Sequence, residues 1–400
     1  MKTRGASAPL ILLREILKSI HSHAREVIAG AVRWAIVSCL IAIAANAQTK
    51  SAATGTDWQI GPFARPAEGS PIIQPRPDSR FDDPILHKAV HWEALHTFNP
   101  AAIVRKGKIF VLYRAEDDTG AAEIGGHTSR LGLAESSDGI HFKRRATPVL
   151  FPADDSQKER EWPSGVEDPR IVESGDGTYI LTYTQWNRVT YSVGIATSRD
   201  LIHWKKFGPA FNDALGGKYA ALKYKSAGIV IRMQAGRLVA AQIKGQYWMY
   251  WGEGSIHLAT SADLLHWTPV EDKTGELLVV LAKRSKHFDS GFPEVGPPPL
   301  LTAEDILVMN NGKNDPEDGD PELGSNAYAA GQALFWADDP SKLIARANEP
   351  FLKPELPFEK TGQYAAGTTF AEGLVAFKGK WFLYYGCADS MVGVAIASIK

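Results

Sequence analysis

The chain lacks the features that define several large classes of protein. Its 400 residues include only 2 cysteines and carry a formal net charge of -1, so the sequence offers neither a disulfide framework nor a basic field for nucleic acid. It also has no Gly-rich phosphate loop and no Ser-His-Asp arrangement. We therefore expect no nucleic acid partner and no cofactor. What remains is an ordinary globular composition with 44% hydrophobic residues, 11 Trp and 12 Tyr.

The first fifty residues resemble a targeting segment. Two arginines precede an apolar stretch from Ala35 to Ala44, which is followed by Ala45-Asn46-Ala47. This order is typical of a secretory signal peptide, and the apolar stretch is too short to span a bilayer. We expect residues 1–47 to be a signal peptide with a long basic region. The mature protein is then periplasmic or secreted, with no membrane contact after cleavage.

The rest of the chain divides into a short arm and a repeated region. Residues 48–80 are rich in Pro, Gly and polar residues, which predicts a linker or N-terminal arm. Beyond them one pattern occurs three times, with an apolar strand, a turn containing Ser and Asp, and an apolar-His-aromatic run; the copies are 131–142, 193–204 and 256–267. We predict that Ser or Asp caps the backbone of each turn.

A second series of β-branched and aromatic runs precedes the copies of this pattern. The runs are 109–113, 179–183, 237–242, 306–309 and 381–385. Five paired strand units with few helical patterns predict an all-β fold, a five-bladed β-propeller formed by residues 81–400. An elongated array of β-sandwiches is the alternative, and it is disfavoured because no unit looks able to fold alone. In a propeller, polar residues at corresponding strand ends converge on one axis.

Three carboxylates near predicted strand ends are candidates for chemistry. Asp168 lies between Glu167 and Arg170, a setting that can separate carboxylate pKa values. Glu253 follows a run of aromatic residues, which we expect to stack on sugars, and Glu294 is flanked by prolines. Their structural alternatives are a strand-entry turn, an ordinary turn and an exposed loop. Cleavage of a glycosidic bond needs two carboxyl groups in different protonation states.

Six motifs carry a family resemblance, in order along three quarters of the chain. They are Asn99-Pro100-Ala101, Tyr113-Arg114-Ala115-Glu116, Ser129-Arg130-Leu131-Gly132-Leu133-Ala134, Glu167-Asp168-Pro169-Arg170-Ile171, Glu294-Val295-Gly296-Pro297-Pro298-Pro299 and Tyr385-Gly386-Cys387-Ala388-Asp389. Together they resemble glycoside hydrolase family 130, which contains β-mannoside phosphorylases and β-1,2-mannosidases and folds as five-bladed propellers. The resemblance implies that Asp168 donates a proton through a sugar hydroxyl. It also implies that Asn99, Arg114 and Asp389 bind that sugar, with Arg130 and Arg170 as further members of the same group.

The choice of nucleophile depends on the third predicted blade. Family phosphorylases carry a His-Arg-Pro run there, and the segment 238–245 lacks it. Phosphate needs several charge-assisted donors, and only Lys244, with Lys225 or Arg170, is available. Glu253 and Glu294 match the glutamates that the hydrolytic branch uses as base. The sequence therefore predicts an inverting hydrolase that releases mannose from β-1,2-linked mannosides, with Asp168 as general acid and these two glutamates activating water.

Several alternatives remain open. The first is a β-mannoside phosphorylase that uses inorganic phosphate, the second an arabinan- or fructan-active propeller, and the third a non-catalytic carbohydrate-binding propeller. In each, the expected partner is an oligosaccharide. The acidic segment 314–320 lacks the spacing and closing Glu of a calcium loop, so we expect no metal site there.

Overall fold

The structure is a computed structural model that describes residues 57–121 and 123–399. The predicted signal peptide, residues 1–47, lies outside the described residues, as does the start of the predicted arm. Within the described ranges, 26 strands accompany one short helix, α1 (Lys158–Glu161), and two 3-10 helices, Ala214–Gly217 and Pro357–Glu359. None of these helices has the length and hydropathy needed to cross a membrane. The predicted all-β class is confirmed.

The first strands form a hairpin and two antiparallel units. The hairpin consists of β1 (Phe81–Asp83) and β2 (Lys88–Val90). Unit one contains β3 (His96–Arg105), β4 (Lys108–Glu116), β5 (Ser129–Ser136) and β6 (Lys143–Arg144). Unit two contains β7 (Gly165–Glu173), β8 (Tyr179–Trp186), β9 (Tyr191–Ser198) and β10 (Lys205–Pro209).

Three further units follow along the chain. Unit three contains β11 (Ala227–Ile229), β12 (Ile231–Gln234), β13 (Arg237–Ala240), β14 (Gln242–Ile243), β15 (Gln246–Trp251), β16 (Ile256–Ser261), β17 (Thr268–Pro269) and β18 (Val279–Leu281). Unit four contains β19 (Phe292–Val295), β20 (Leu300–Leu301), β21 (Asp305–Lys313), β22 (Tyr328–Trp336) and β23 (Asp339–Arg346). Unit five contains β24 (Thr369–Phe377), β25 (Lys380–Cys387) and β26 (Met391–Ser398). Four of the five predicted β-rich runs lie within single strands, and the run 237–242 spans β13 and β14 with Ala241 between them.

The three repeated turns have one set of hydrogen bonds. In the first, Asp138 Oδ1 accepts the backbone N–H groups of Ile140 and His141 at 2.9 Å, and Asp138 Oδ2 lies 2.8 Å from His141 Nδ1. Ser136 Oγ accepts the N–H of Gly139 at 2.8 Å. The turns at Asp200 and Asp263 repeat this arrangement. The prediction that Ser and Asp cap these turns is confirmed, and the histidines belong to the turns.

The described part of the N-terminal arm pairs with the last strand. Ala64 and Ile396 exchange two backbone hydrogen bonds of 2.9 and 2.8 Å, and Ile73 forms a second antiparallel bridge with Val392. These contacts cover the outer edge of β26, and a covered edge cannot pair with another chain. The arm therefore completes unit five as an additional strand would.

Candidate active site

Three of the β-bulges in the fold lie in β3, β7 and β24, each with a polar residue at the bulge. The register of β3 shifts between Phe98 and Pro100, that of β7 between Glu167 and Arg170, and that of β24 between Ala371 and Gly373. The residues inside the bulges include Asn99 (φ 45°), Asp168 (φ 46°) and Glu372. A bulge redirects a side chain out of the strand pattern, and positive φ in residues other than glycine concentrates at functional sites.

One cavity of about 280 Å³ collects residues from all five units. Its lining is Asn99, Arg114, Ile124, Glu167, Asp168, Thr184, Trp186, Tyr191, Lys225, Glu253, Glu294, Tyr328, Tyr364, Thr368, Phe370 and Asp389. Six of the eight site residues expected from the sequence are among them. Five lining carboxylates face two lining cations, so the cavity has an excess of acidic groups.

The first cation organises what we call the Arg114 cluster: Asn99, Arg114, Glu116, Glu167, Asp168 and Asp389. Arg114 Nη2 lies 2.6 Å from Glu116 Oε1 and 2.9 Å from Glu167 Oε1, and its Nη1 lies 3.3 Å from Asp168 Oδ1. Asn99 Nδ2 donates to the same Asp168 oxygen at 2.8 Å. The guanidinium also stacks over the Phe98 ring, 4.5 Å from its centroid. Arg114 is thus fully engaged with its neighbours.

The carboxylates of the Arg114 cluster differ in acidity. Burial alone would raise the pKa of Asp168, but Arg114, Lys225 and the Asn99 hydrogen bond outweigh it and hold the pKa below its ordinary value. Burial raises the pKa of Glu167 to about 8, against the opposing charge of Arg114. Burial likewise raises the pKa of Asp389 to about 7. At neutral pH, Asp168 is ionised, whereas Glu167 is mostly protonated and Asp389 is partly protonated.

The second cation organises the Lys225 cluster, formed by Lys225, Ser226, Glu253 and Glu294. Lys225 Nζ lies 3.3 Å from Glu253 Oε1 and 3.7 Å from Glu294 Oε1. Ser226 Oγ donates a short hydrogen bond to Glu294 Oε1, and the two glutamates form an antiparallel bridge through their backbones. Sequence-distant segments of units three and four therefore meet at one pair of carboxylates.

Glu294 is the buried member of this pair. Its side chain is 1% exposed, while that of Glu253 is 28% exposed. Burial raises the pKa of Glu294 to about 7, against the lowering effect of Lys225 and with a further increase from Glu253. Its Oε2 atom has no hydrogen-bond partner among the residues that the structure describes. A buried carboxylate with one free oxygen can hold and deprotonate a water molecule.

Arg130 and Arg170 lie outside the cavity lining. Arg130 is fully buried and pairs with Asp83 at 2.5 Å and with Asp117 at 2.7 Å. Arg170 is also buried and pairs with Glu372 at 2.7 Å. Both guanidinium groups are paired with carboxylates, and neither belongs to the cavity lining.

The family model described as beta-1,4-mannooligosaccharide phosphorylase, for glycoside hydrolase family 130, matches residues 67–400. The chain belongs to glycoside hydrolase family 130. The 1,2-beta-oligomannan phosphorylase of Thermoanaerobacter sp. (strain X514) is 32% identical over 325 residues, which cover 80% of this chain and 96% of that protein. This family membership confirms the resemblance carried by the six motifs.

Solved structures of the family are similar over nearly their whole length. The crystal structure of a putative glycosidase from Bacteroides thetaiotaomicron VPI-5482 is 51% identical, with a TM-score of 0.84, and the match covers 86% of this chain and 98% of that one. Another structure is 49% identical, with a TM-score of 0.85 and coverage of 88% and 99%. It comes from work describing the GH130 family of mannoside phosphorylases as containing glycoside hydrolases that target beta-1,2 mannosidic linkages in Candida mannan.

The aromatic residues of this family 130 site are not the ones expected from the sequence. The rings before Glu253 were expected to stack on sugars, but Tyr250 and Trp251 are buried in the hydrophobic core because alternate side chains of β15 face its two sides. The cavity instead takes its rings from other strands and loops, namely Trp186, Tyr191, Tyr328, Tyr364 and Phe370. Trp186 and Tyr191 could have been found from the sequence, since they flank the turn between two strong strand patterns.

The cations of the site also differ from expectation. Lys225, named only as a secondary phosphate ligand, lies in the cavity between two carboxylates. Lys244 is exposed and does not line the cavity. Within the described ranges, no group of three or more His, Cys, Asp or Glu side chains is arranged to hold a metal ion.

Proposed function

We propose that the chain is an inverting β-mannosidase that releases mannose from β-1,2-linked mannosides and uses water as the nucleophile. One observation carries this proposal: both cations among the described lining residues are paired with carboxylates. A phosphate dianion needs several charge-assisted donors in one place, and here it would meet Glu253 and Glu294. Carboxylates repel phosphate, but they orient and deprotonate water.

The proposed fold is a five-bladed propeller in which each antiparallel unit is one blade. Two features support it. The first strands of units one, two and five lie together, since β3 packs against both β7 and β24. The strands β11 and β7 are also in contact, as are β22 and β24. A ring of five blades accounts for a cavity that draws residues from every unit.

In the proposed mechanism, Asp168 is the proton donor. A donor must carry a proton, whereas Asp168 is ionised in the free protein because Arg114 and Asn99 bind its Oδ1 atom. A bound sugar offers hydroxyl groups to the same donors, with Asp389 as a further ligand. When Arg114 and Asn99 turn toward the sugar, Asp168 loses the contacts that favour its anion, and its pKa rises. Asp168 then takes up a proton from solvent and donates it to a sugar hydroxyl, which passes its own proton to the leaving oxygen.

The base side of the mechanism is the Lys225 cluster. Glu253 and Glu294 hold a water molecule on the opposite face of the sugar and accept its proton as it attacks the anomeric carbon. Inversion follows because the attack is a single displacement. The lysine compensates the charge of two neighbouring carboxylates, so that at least one can be ionised at neutral pH.

We also propose that the mature protein works outside the cytoplasm, after removal of residues 1–47. This rests on the order of basic, apolar and small residues in that segment. Expression of the full chain in a Gram-negative host, followed by fractionation and N-terminal sequencing, tests it. Uncleaved protein confined to the cytoplasm would contradict it.

A product assay tests the catalytic proposal. The enzyme is incubated with β-1,2-mannobiose, with and without phosphate, and the products are followed by NMR. We expect free mannose under both conditions, released first as the α-anomer. Mannose 1-phosphate without free mannose would instead identify a phosphorylase. Sugar binding with no turnover of β-1,2- or β-1,4-mannosides would identify a carbohydrate-binding protein.

A further inference from the structure

We propose that Arg170 is a positioning residue that sets the separation between the proton donor and the base. The inference rests on the proposed function, because it uses the roles assigned there to Asp168 and Glu294. The sequence pointed to Arg170 as a member of the sugar-binding group, but its side chain does not line the cavity. Its contacts give it a different task.

The guanidinium of Arg170 binds the backbone beside both proposed catalytic carboxylates. Its Nη1 donates to the carbonyl of Asp168 at 3.1 Å. Its Nη2 donates to the carbonyl of Val295 at 2.7 Å, and its Nε donates to the carbonyl of Gly296 at 3.2 Å. Val295 and Gly296 directly follow Glu294. One rigid group therefore ties the bulge of β7, which presents Asp168, to the end of β19, which presents Glu294.

A third strand, β24, also contacts Arg170. Arg170 Nη1 lies 2.7 Å from Glu372 Oε1, and the two side chains are 1% and 0% exposed. Glu372 lies in the bulge of β24. Because water has little access, the guanidinium donates its hydrogen bonds to the backbone carbonyls of Asp168, Val295 and Gly296. These bonds hold units two and four, and the close approach of Glu372 adds a contact with unit five.

The geometry requires arginine in particular. A planar guanidinium presents its donors in a fixed fork, whereas a lysine ammonium is a single point with rotatable donors. One ammonium cannot reach Glu372 and both carbonyls of the β19 side from the same position. Arg170→Lys therefore keeps the positive charge near Asp168 but loosens the link to Glu294.

The link matters because inversion depends on the spacing of two carboxyl groups. An inverting enzyme holds its acid and base roughly 6.5–9.5 Å apart, with room for water between them. A misplacement of about 1 Å is enough to reduce the rate on the order of 10²-fold. Sugar contacts come from other side chains, so a loosened link reduces turnover more than binding.

The experiment compares Arg170→Lys with Arg346→Lys. Arg346 is a matched control, since its side chain is 8% exposed and pairs with the buried Asp289 at 2.6 Å, away from the cavity lining. We expect Arg170→Lys to lower kcat roughly 10²-fold with KM changed less than about threefold, and Arg346→Lys to leave both near wild type. Thermal melts of both variants show whether each is folded at the assay temperature.

Two results would overturn the inference. One is a folded Arg170→Lys variant with the kcat of the control, and the other is a rise in KM with kcat retained. If Arg170→Lys does not fold, Gly296→Ala tests the same link. A Cβ there would lie 2.8 Å from the carbonyl oxygen of Met309 and must displace the Gly296 segment. Loss of kcat at unchanged KM supports the inference, and an unchanged kcat in folded Gly296→Ala contradicts it.

The outcome is separable from that of the proposed function. The wild-type products decide between water and phosphate, and the variants are then assayed with whichever nucleophile the wild type accepts. Phosphorolysis by the wild type would contradict the proposed hydrolase, yet the comparison of Arg170→Lys with Arg346→Lys would still be informative. Equal behaviour of the two variants would contradict the positioning role in either reaction.

Discussion

The Arg114 cluster and the Lys225 cluster both surround one cation with carboxylates, but they leave those carboxylates in different states. Asn99 donates a hydrogen bond to Asp168 Oδ1, and Arg114 forms an ion pair with the same oxygen. These contacts hold the pKa of Asp168 below its ordinary value despite burial. Glu294 has a distant lysine at 3.7 Å and one hydroxyl, and burial raises its pKa to about 7. The number of close donors decides whether burial raises the pKa of the carboxyl group or hydrogen bonds and opposite charge lower it.

This difference shows how two buried carboxylates of the same chain acquire separate tasks. In the free protein the order of acidity is the reverse of the catalytic order, because the proposed donor is ionised and the proposed base is partly protonated. In the proposed mechanism, substrate therefore changes the Arg114 cluster by competing for Asn99 and Arg114. The Lys225 cluster needs no such exchange. Glu294 Oε2 has no hydrogen-bond partner among the described residues, so it is available to bind water.

The largest expected effect is on Asp168. Asp168→Asn retains the shape and the acceptor oxygen, but it cannot supply a proton. We expect kcat to fall roughly 10³-fold, within the range typical of general acid catalysis, while β-1,2-mannobiose still binds. Steady-state kinetics and calorimetric titration measure the two quantities.

The control for Asp168→Asn is Asp176→Asn, since Asp176 is exposed and pairs with Arg199 on the surface. It should leave kcat unchanged. A folded Asp168→Asn enzyme within about tenfold of the wild-type kcat would contradict the acid role.

The next largest effect is expected in the Lys225 cluster. Glu294→Gln removes the buried base but keeps a hydrogen bond to Ser226, and we expect a fall in kcat of about 10²-fold. Glu253→Gln should have a smaller effect, because that side chain is more exposed and water can replace its contacts. The control is Glu271→Gln, which alters a surface pair with Lys218. Glu253→Gln proving far more damaging than Glu294→Gln would reverse the assignment within the pair.

Much of the fold could be predicted because its signals are local in sequence. Each Ser-Asp-His turn is closed by contacts between residues two or three positions apart, such as Asp138 with His141. The strand runs are likewise visible as β-branched and aromatic stretches. Asp168, Glu253 and Glu294 were singled out by their places near predicted strand ends and by the family resemblance, and the structure brings them to one cavity.

The remainder depends on contacts that no sequence pattern encodes. Arg170 binds backbone carbonyls of Val295 and Gly296, and a carbonyl is common to every residue. Lys225 pairs with glutamates of two other segments, so its engagement becomes visible only when units three and four meet. The rings of β15 had a suitable composition, but strand alternation places them in the core.

An effect of intermediate size is expected in the pH dependence of kcat/KM when Lys225 is replaced. The charge of Lys225 lowers the pKa of Glu294 against burial, so Lys225→Met should raise that pKa above about 7. Because the base must be ionised, the acidic limb of the kcat/KM profile then moves to higher pH. We expect about a tenfold loss at pH 7 that recovers as the pH rises. Lys218→Met, which alters a surface pair, should leave the limb in place, and an acidic limb that stays or moves to lower pH in Lys225→Met would contradict this account.

The smallest effect is expected at Asp138, a carboxylate that several donors surround far from the cavity lining. The backbone hydrogen bond from His141, with those of its neighbours, holds the pKa of Asp138 well below its ordinary value. Asp138→Ala should lower the melting temperature by about 2 °C and leave kcat and KM unchanged. Since the lowered pKa favours the folded state only when the carboxylate is ionised, the difference from wild type should shrink as the pH falls below about 4. A changed kcat, or a difference in melting temperature that grows in acid, would show that close donors at this turn act differently from those around Asp168.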